Sequence, residues 1–305
     1  MIKTQNKPRF LMCRPEHYGV HYAINPWMDP HGWSRDDRSL MTAAHREWSA
    51  LHRTLRQLGA AIELVPPLDG QPDLVFTANG AVVLDRTALL ARFRHDERRG
   101  EQAPFEAAFR LLQTRGLIDS VKTLPKGIVL EGAGDCVFDE ARRCFWLGHG
   151  PRSDIAARGI VAETFGVDVV ALELADPRFY HMDTALCALP RGEVMYFPGA
   201  FTAGGRAVIQ DRVSPDQRIE ITEKDACRLA ANAVCLDDIL VMGGCSARLH
   251  DVLAERGYRL AVTPLKAYLR SGGSAFCLTL RLDRRSRTVG ARSSMQSMAG
   301  GKATG

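Results

Sequence analysis

The 305 residues include eight cysteines, yet no two of them form a C-x-x-C pair. That absence removes the spacing by which zinc ribbons and dithiol redox sites preorganise two sulfurs. No apolar run approaches the roughly 20 residues needed to cross a bilayer. The opening stretch Met1 to Phe10 is polar, carries Lys3, Lys7 and Arg9, and has no apolar core after it. A secretion signal is therefore not expected, the expected location is the cytoplasm, and most cysteines are expected to be reduced core residues. A dominant charge sign is also missing: 40 basic against 35 acidic residues leave a net charge of +5. Basic residues are interleaved with acids except at Arg284-Arg285-Ser286-Arg287, so neither nucleic acid nor a membrane surface is an expected partner.

What is present is a hydrophobic content of 46% and a charged content of 25%, the balance of a globular protein with a sizeable core. Arg9–Cys13 reads as a first strand, followed by a loop and the run Tyr22-Ala23-Ile24-Asn25-Pro26-Trp27-Met28-Asp29. Aromatic, amide, proline and acid together between regular elements suggest a loop packed over a pocket. From Ser39 to Leu58, Leu40, Ala44, Trp48, Leu51, Leu55 and Leu58 recur every three or four residues, which predicts an amphipathic helix. Ile62–Pro66 reads as a strand, and Asn79-Gly80 interrupts two β-rich runs, so a turn or bulge there displays Asn79.

Further helices are expected at about Pro104–Arg115, Ser153–Phe165, Glu223–Ala233 and Ser246–Arg256, alternating with short strands at Val121–Leu124, Cys144–Leu147, Asp168–Leu174 and Val234–Met242. About five units result, in each of which two or three short strands accompany one helix. That predicts an α/β protein of repeated modules. No Pro/Gly/Ser-rich linker divides it, so residues 1–283 are expected to form one domain, with 284–305 a disordered basic tail.

Three stretches carry chemistry. In Glu131-Gly132-Ala133-Gly134-Asp135, two carboxylates flank a glycine-rich turn inside a hydrophobic pattern. In Tyr180 to Leu189, His181 and Asp183 fall two apart in an otherwise apolar run, which as a strand would put both on one face. Burial of that pair is costly unless each group is hydrogen-bonded or paired. The third stretch is Ser271-Gly272-Gly273-Ser274-Ala275-Phe276-Cys277, where a small-residue turn leads into six residues expected as a short strand, with Cys277 where loop becomes strand. A cysteine at that junction is either a buried inert thiol or an activated nucleophile. With a histidine and carboxylates available, the set suits attack by thiolate, proton transfer by imidazole and substrate positioning by carboxylates. A metal site would use the same residues, but lacks a C-x-x-C pair to preorganise it.

Phe76-Thr77-Ala78-Asn79, Glu131-Gly132-Ala133-Gly134-Asp135, His181-Met182-Asp183-Thr184 and the glycine-turn Cys277, in that order, resemble the guanidine-modifying (pentein) superfamily over about residues 9–283. That superfamily includes arginine deiminases, dimethylarginine dimethylaminohydrolases and amidinotransferases. The resemblance implies a five-bladed α/β propeller of ββαβ modules, with the active site in the central channel. It makes Cys277 the nucleophile, His181 the general acid and base, and Glu131 and Asp183 the carboxylates that hold a planar guanidinium by charge-assisted hydrogen bonds. Arg152 is implied in binding the substrate carboxylate. Asp135 and Arg94, with Arg92 and Arg98 as alternatives to Arg94, are further substrate-binding candidates. No cofactor or metal is implied. The expected partner is a small guanidino compound, and a homo-oligomer is allowed.

One departure sharpens the expectation. Arginine deiminases read Phe-Thr-Arg-Asp where this chain reads Phe76-Thr77-Ala78-Asn79, so a neutral amide replaces an acid. An amide suits a ureido carbonyl as well as a guanidinium. The Thr-Ala-Asn segment and Ile24-Asn25-Pro26-Trp27-Met28 are similar to arginine dihydrolases, which take arginine through two rounds to ornithine, carbon dioxide and ammonia. Asn79 and Asn25 are the residues implied in retaining the ureido product. The alternatives are a deiminase, a methylarginine hydrolase, an amidinotransferase, a noncatalytic arginine-binding relative and a metal-dependent hydrolase.

Overall fold

The computed structural model describes residues 7–286; of the expected disordered tail 284–305, Arg284 and Ser286 are instead tied to Asp85 (Asp85 N to Arg284 O, Ser286 N to Asp85 Oδ1, both 3.0 Å), and the rest lies outside the described residues. Fifteen strands form five separate three-stranded sheets. The sheets, in chain order, are β3 (Ala81–Leu84), β4 (Thr87–Leu90) and β5 (Ser120–Lys122); then β6 (Cys136–Asp139), β7 (Cys144–His149) and β8 (Asp168–Glu173). Next come β9 (Leu186–Ala188), β10 (Val194–Tyr196) and β11 (Arg218–Glu220), and β12 (Val234–Leu236), β13 (Ile239–Met242) and β14 (Arg259–Val262). The fifth joins the first and last strands: β15 (Leu280–Arg281) pairs antiparallel with β1 (Arg9–Cys13), which pairs parallel with β2 (Ala61–Val65).

Every sheet repeats one pattern, an antiparallel pair followed by a parallel third strand. A parallel return needs a crossover, and in each module a helix supplies it. These helices are Asp37–Gln57, Gln102–Thr114, Ala157–Phe165, Ala203–Arg212 and Ala247–Glu255. The molecule is the five-bladed α/β propeller of ββαβ modules that the sequence led us to expect. On the first helix Ala44, Trp48, Leu51 and Leu55 are buried, as their spacing predicts. Each fully buried side chain such as Leu51 contributes roughly 1.5–3 kcal/mol. Six of the eight cysteines are buried and all eight are unpaired by disulfides.

Several expectations are corrected, and one module is added to them. The expected helix Glu223–Ala233 stops at Ala226, because Leu229 turns the chain with a left-handed φ of 52°. Val234–Met242 is a hairpin, with Asp237 at φ 51° in its two-residue turn. The third-module helix Ala203–Arg212, with β10 and β11, gave no periodic signal; Gly204 and Gly205 in its first turn weaken helix propensity. Finally, neither His181 nor Asp183 lies in a strand. His181 caps a one-turn helix, Met182–Ala185, held by Thr184 N donating to His181 O at 3.2 Å. Cys277 likewise sits in a turn, where Leu278 N donates to Ser274 O at 3.2 Å, and the strand begins only at Leu280.

Candidate active site

Immediately before the first strand of each module the chain makes a tight turn, and the five turns meet around the propeller axis. Thr77–Gly80, Gly132–Asp135 and Met182–Ala185 are single helical turns; the turns around Asn232 and Cys277 are irregular. Hydrogen bonds link them in a closed ring. Asn79 Nδ2 donates to Glu131 O (3.4 Å), Met182 N to Asp135 Oδ1 (3.1 Å) and Asn232 Nδ2 to Asp183 O (3.2 Å). Cys277 N then donates to Asn232 Oδ1 (3.1 Å) and Ala78 N to Cys277 O (3.1 Å), which completes the circle. Each of Asn79, Glu131, Asp135, His181, Asp183, Asn232 and Cys277 is buried.

The ring has a thiol side and an imidazole side. The Cys277 thiol donates to Asp183 Oδ2 at 3.2 Å and accepts from Asn232 Nδ2 at 3.0 Å. Burial, and then the Asp183 carboxyl beside it, push the thiol well above its usual range. Burial also lifts Asp183 to about 7, against the opposing hydrogen bonds from Cys277 and Asn232. Its second oxygen, Oδ1, is buried without a hydrogen-bond partner. A carboxyl in that position has acceptor capacity left for a donor-rich guest.

On the other side His181 Nε2 lies 2.8 Å from Glu131 Oε2, which also accepts from Arg152 Nη1 at 3.0 Å. Burial opposes charge on Glu131, but Arg152 and His181 outweigh it and hold this carboxyl below the usual range. Burial drives His181 down to about 4 in spite of Glu131. The imidazole is therefore neutral at neutral pH. Because the ionised Glu131 only accepts, Nε2 carries the proton and Nδ1 keeps a lone pair, 3.5 Å from Asn79 Nδ2.

The remaining expected residues divide into those at the ring and those that brace it. Arg152 is buried, stacks 4.6 Å over the Tyr180 ring and donates to Ile24 O at 3.1 Å. Asp135 accepts from Ser153 Oγ at 2.5 Å and from Met182 N, so it fixes the turn that carries His181 and Asp183. Asn25 lies in the loop over the site, but its side chain is engaged with Ser271 O (3.1 Å) and Trp27 N (2.9 Å). Arg94 binds Arg152 O (2.7 Å) and Asp154 (2.6 Å), and Arg92 binds the carbonyls of Leu124 and Ile128, so both guanidinium groups are engaged in bracing the neighbouring loops.

The sequence reading missed Asp73 and Asn232, and gave Arg98 too little weight. Arg98 is buried and donates to Asn79 Oδ1 (3.0 Å) and to both oxygens of Glu101 (2.7 and 2.8 Å). Asp73 accepts from Tyr22 on Oδ2 at 2.9 Å, while its Oδ1 is buried and unpartnered. A signal for Asn232 exists in the sequence: Ala231-Asn232-Ala233-Val234 echoes Ala78-Asn79-Gly80-Ala81-Val82. Both lead into the first strand of a module. Among the described residues no group of three or more His, Cys, Asp and Glu is arranged to hold a metal ion, and no helix is long and apolar enough to cross a membrane.

Comparisons with known proteins agree with this geometry. The family model for N,N dimethylarginine dimethylhydrolase, eukaryotic, matches residues 22–284. The chain is 42% identical over 274 residues to the bifunctional arginine dihydrolase/ornithine cyclodeaminase ArgZ of Synechocystis, a match covering 90% of this chain and 37% of that protein. It thus spans little more than a third of that relative's length. It is 33% identical over 291 residues to the N(G),N(G)-dimethylarginine dimethylaminohydrolase of Mycobacterium tuberculosis, covering 92% of this chain and 87% of that one. The crystal structure of the N-terminal domain of ArgZ bound to its substrate, an arginine dihydrolase, matches with a TM-score of 0.86 at 41% identity, over 92% of this chain and 100% of that one. With one family model spanning most of the chain and a relative aligned along most of both lengths, the chain belongs to the N,N-dimethylarginine dimethylhydrolase family, within the pentein superfamily.

Proposed function

We propose that the protein hydrolyses the guanidino group of arginine through a covalent Cys277 intermediate, and that it carries the reaction through two rounds to ornithine. The observation that carries the reading is the Asp183 carboxyl, with one oxygen against the thiol and the other buried without a partner. A guanidinium lying there offers two parallel N–H donors to the carboxylate and sets its central carbon near sulfur. Its positive charge also favours ionisation of both Asp183 and Cys277, offsetting the burial that opposes each.

In the first round the Cys277 thiol passes its proton to the free Nδ1 of the neutral His181 imidazole, and the resulting thiolate forms a bond to the guanidino carbon. His181 delivers a proton to the departing nitrogen, which leaves as ammonia, and a thiouronium remains on sulfur. Water then gives its proton to His181 and its oxygen to the same carbon. The C–S bond breaks and citrulline is formed. In the second round the thiolate attacks the ureido carbon, a second ammonia leaves, and water releases a carbamate that separates into ornithine and carbon dioxide. Glu131 holds the imidazole in the tautomer that keeps Nδ1 available, and water-excluding burial strengthens each of these contacts.

Support for two rounds comes from Asn79. Its Oδ1 is taken by Arg98, which leaves the amide NH₂ facing His181. A donor there suits a carbonyl oxygen and does not suit a guanidinium N–H. The same family supports a second reading, removal of alkylamine from methylated arginine. Arginine, monomethylarginine, dimethylarginine and citrulline, each incubated with the protein and followed by mass spectrometry, separate the two. Ornithine and ammonia from arginine are expected; methylamine or dimethylamine release with no ornithine would replace the first reading by the second. Cys277→Ser is expected to lower turnover at least 10³-fold, in line with losses for a removed nucleophile, and substantial residual activity would end the covalent mechanism.

A further inference from the structure

Asn232 belongs to the ring, yet the chemistry above gives it no part. Its side chain is fully buried and makes three contacts at once. Oδ1 accepts from the Cys277 amide (3.1 Å), while Nδ2 faces both Asp183 O (3.2 Å) and Cys277 Sγ (3.0 Å). These fix the amide orientation. A flipped Asn232 would set its NH₂ against the Cys277 N–H and its carbonyl against the Asp183 carbonyl, losing both backbone bonds. The group against the sulfur is therefore a permanent donor, with no ionised form and no dependence on substrate.

We propose that Asn232 is the positioning residue that keeps Cys277 reactive as a thiolate, and that its weight falls mainly on the second round of hydrolysis. The inference rests on the two-round reading given above. Burial and Asp183 both oppose the thiolate. In the first round a cationic guanidinium counters them. In the second the ureido group is neutral, the cation is gone, and the fixed donors on sulfur carry the task. Asn232 is the one side chain that donates a hydrogen bond to Sγ among the described residues. A hydrogen bond to a charged acceptor is worth about 10- to 100-fold in such an equilibrium.

The test uses Asn232→Asp, which keeps the size and the acceptor for the Cys277 amide, and Asn232→Ala as a second variant that removes the donor without adding charge. Three quantities are measured on each: the rate of arginine to citrulline, the rate of citrulline to ornithine, and the pH midpoint for alkylation of Cys277 by iodoacetamide, read by mass spectrometry. The midpoint is expected to rise, and the citrulline rate to fall about tenfold or more beyond the arginine rate, so that citrulline accumulates from arginine. Equal losses in both rates with an unmoved midpoint would overturn the proposal. If the unaltered protein itself stops at citrulline, the two-round reading fails on its own, and the midpoint alone decides Asn232: an upward shift keeps the role on sulfur and an unmoved one removes it.

Discussion

Asp183 concentrates the conflict between stability and chemistry in one carboxyl. Burial lifts it from 3.8 to about 7 in the folded chain. An acid with a raised folded value is at no disadvantage below pH 3.8, and it costs the fold progressively more as pH rises through 7. Asn in its place accepts and donates without ever ionising. Asp183→Asn is therefore expected to raise the thermal midpoint at pH 8, by up to a few kcal/mol of stability, and to leave it little changed at pH 4. The same change is expected to abolish turnover, because the neutral amide no longer grips the guanidinium. In the unaltered protein kcat/KM for arginine is expected to rise with pH through about 7, as Asp183 ionises. Melting curves at the two pH values check the first statement, and a variant less stable than the parent at pH 8 would show that Asp183 is held ionised by a partner. His181, lowered from 6.5 to about 4, works in the opposite sense: its contribution falls as pH drops from 6.5 toward 4. Between pH 4 and 6.5 the contributions of these two groups therefore oppose one another.

Turns, more than strands or helices, hold the site together, and the turn before Cys277 is tightly constrained. Gly272 has φ 74°, and a Cβ there would lie 2.6 Å from Trp27 Cδ1 and 2.8 Å from Tyr180 Cε1. Its neighbour Ser271 offers its carbonyl to Asn25 Nδ2 and to the Tyr180 hydroxyl, so the loop 22–29 is clipped to this turn. Gly272→Ala combines left-handed strain of about 1–2 kcal/mol with displacement of Trp27. A several-fold rise in KM for arginine and a midpoint lower by a few degrees are expected; unchanged values for both would mean that the loop does not depend on the turn. These turns also mark the limit of what the sequence discloses. The repeated strand and helix pattern is legible because amphipathic spacing such as Ala44, Trp48, Leu51 and Leu55 is local. The residues of the ring are legible by type, since His181, Asp183 and Glu131 are costly in apolar surroundings. Their conformation is not. His181 and Asp183 alternate as a strand would, yet Asp135 on the neighbouring turn binds Met182 N and winds them into a helix. Asn232 lies in a small-residue run whose role emerges only once Cys277, 45 positions later, folds against it.

At the scale of the molecule, both the outer sheets and the inner ring close at one seam, where the first and last strands meet. β15 contributes only Leu280 and Arg281 to that seam, but its surroundings are densely tied. Leu282 N donates to Arg9 O, Arg9 N to Asp283, Asp85 N to Arg284 O, and Ser286 N to Asp85. Leu280 and Leu282 are each 2% exposed. Burying these two side chains contributes about 3–6 kcal/mol, a large part of the roughly 5–15 kcal/mol by which a protein of this kind is stable. Removing β15 also exposes an edge of β1 and frees the turn that holds Cys277, because Ala78 N and Asn232 then bind a turn with no anchor beyond it. Loss of one short strand is thus expected to affect the whole ring and not one blade. A chain ending at Thr279, which keeps every residue of the ring, is expected to lose turnover and to melt more than 10 °C below the parent or without a cooperative transition. A chain ending at Ser286 is expected to match the parent in both measurements. Should the shorter chain melt within a few degrees of the longer one and still turn over arginine, closure at the seam would contribute nothing, and the five turns would be held by their own hydrogen bonds alone.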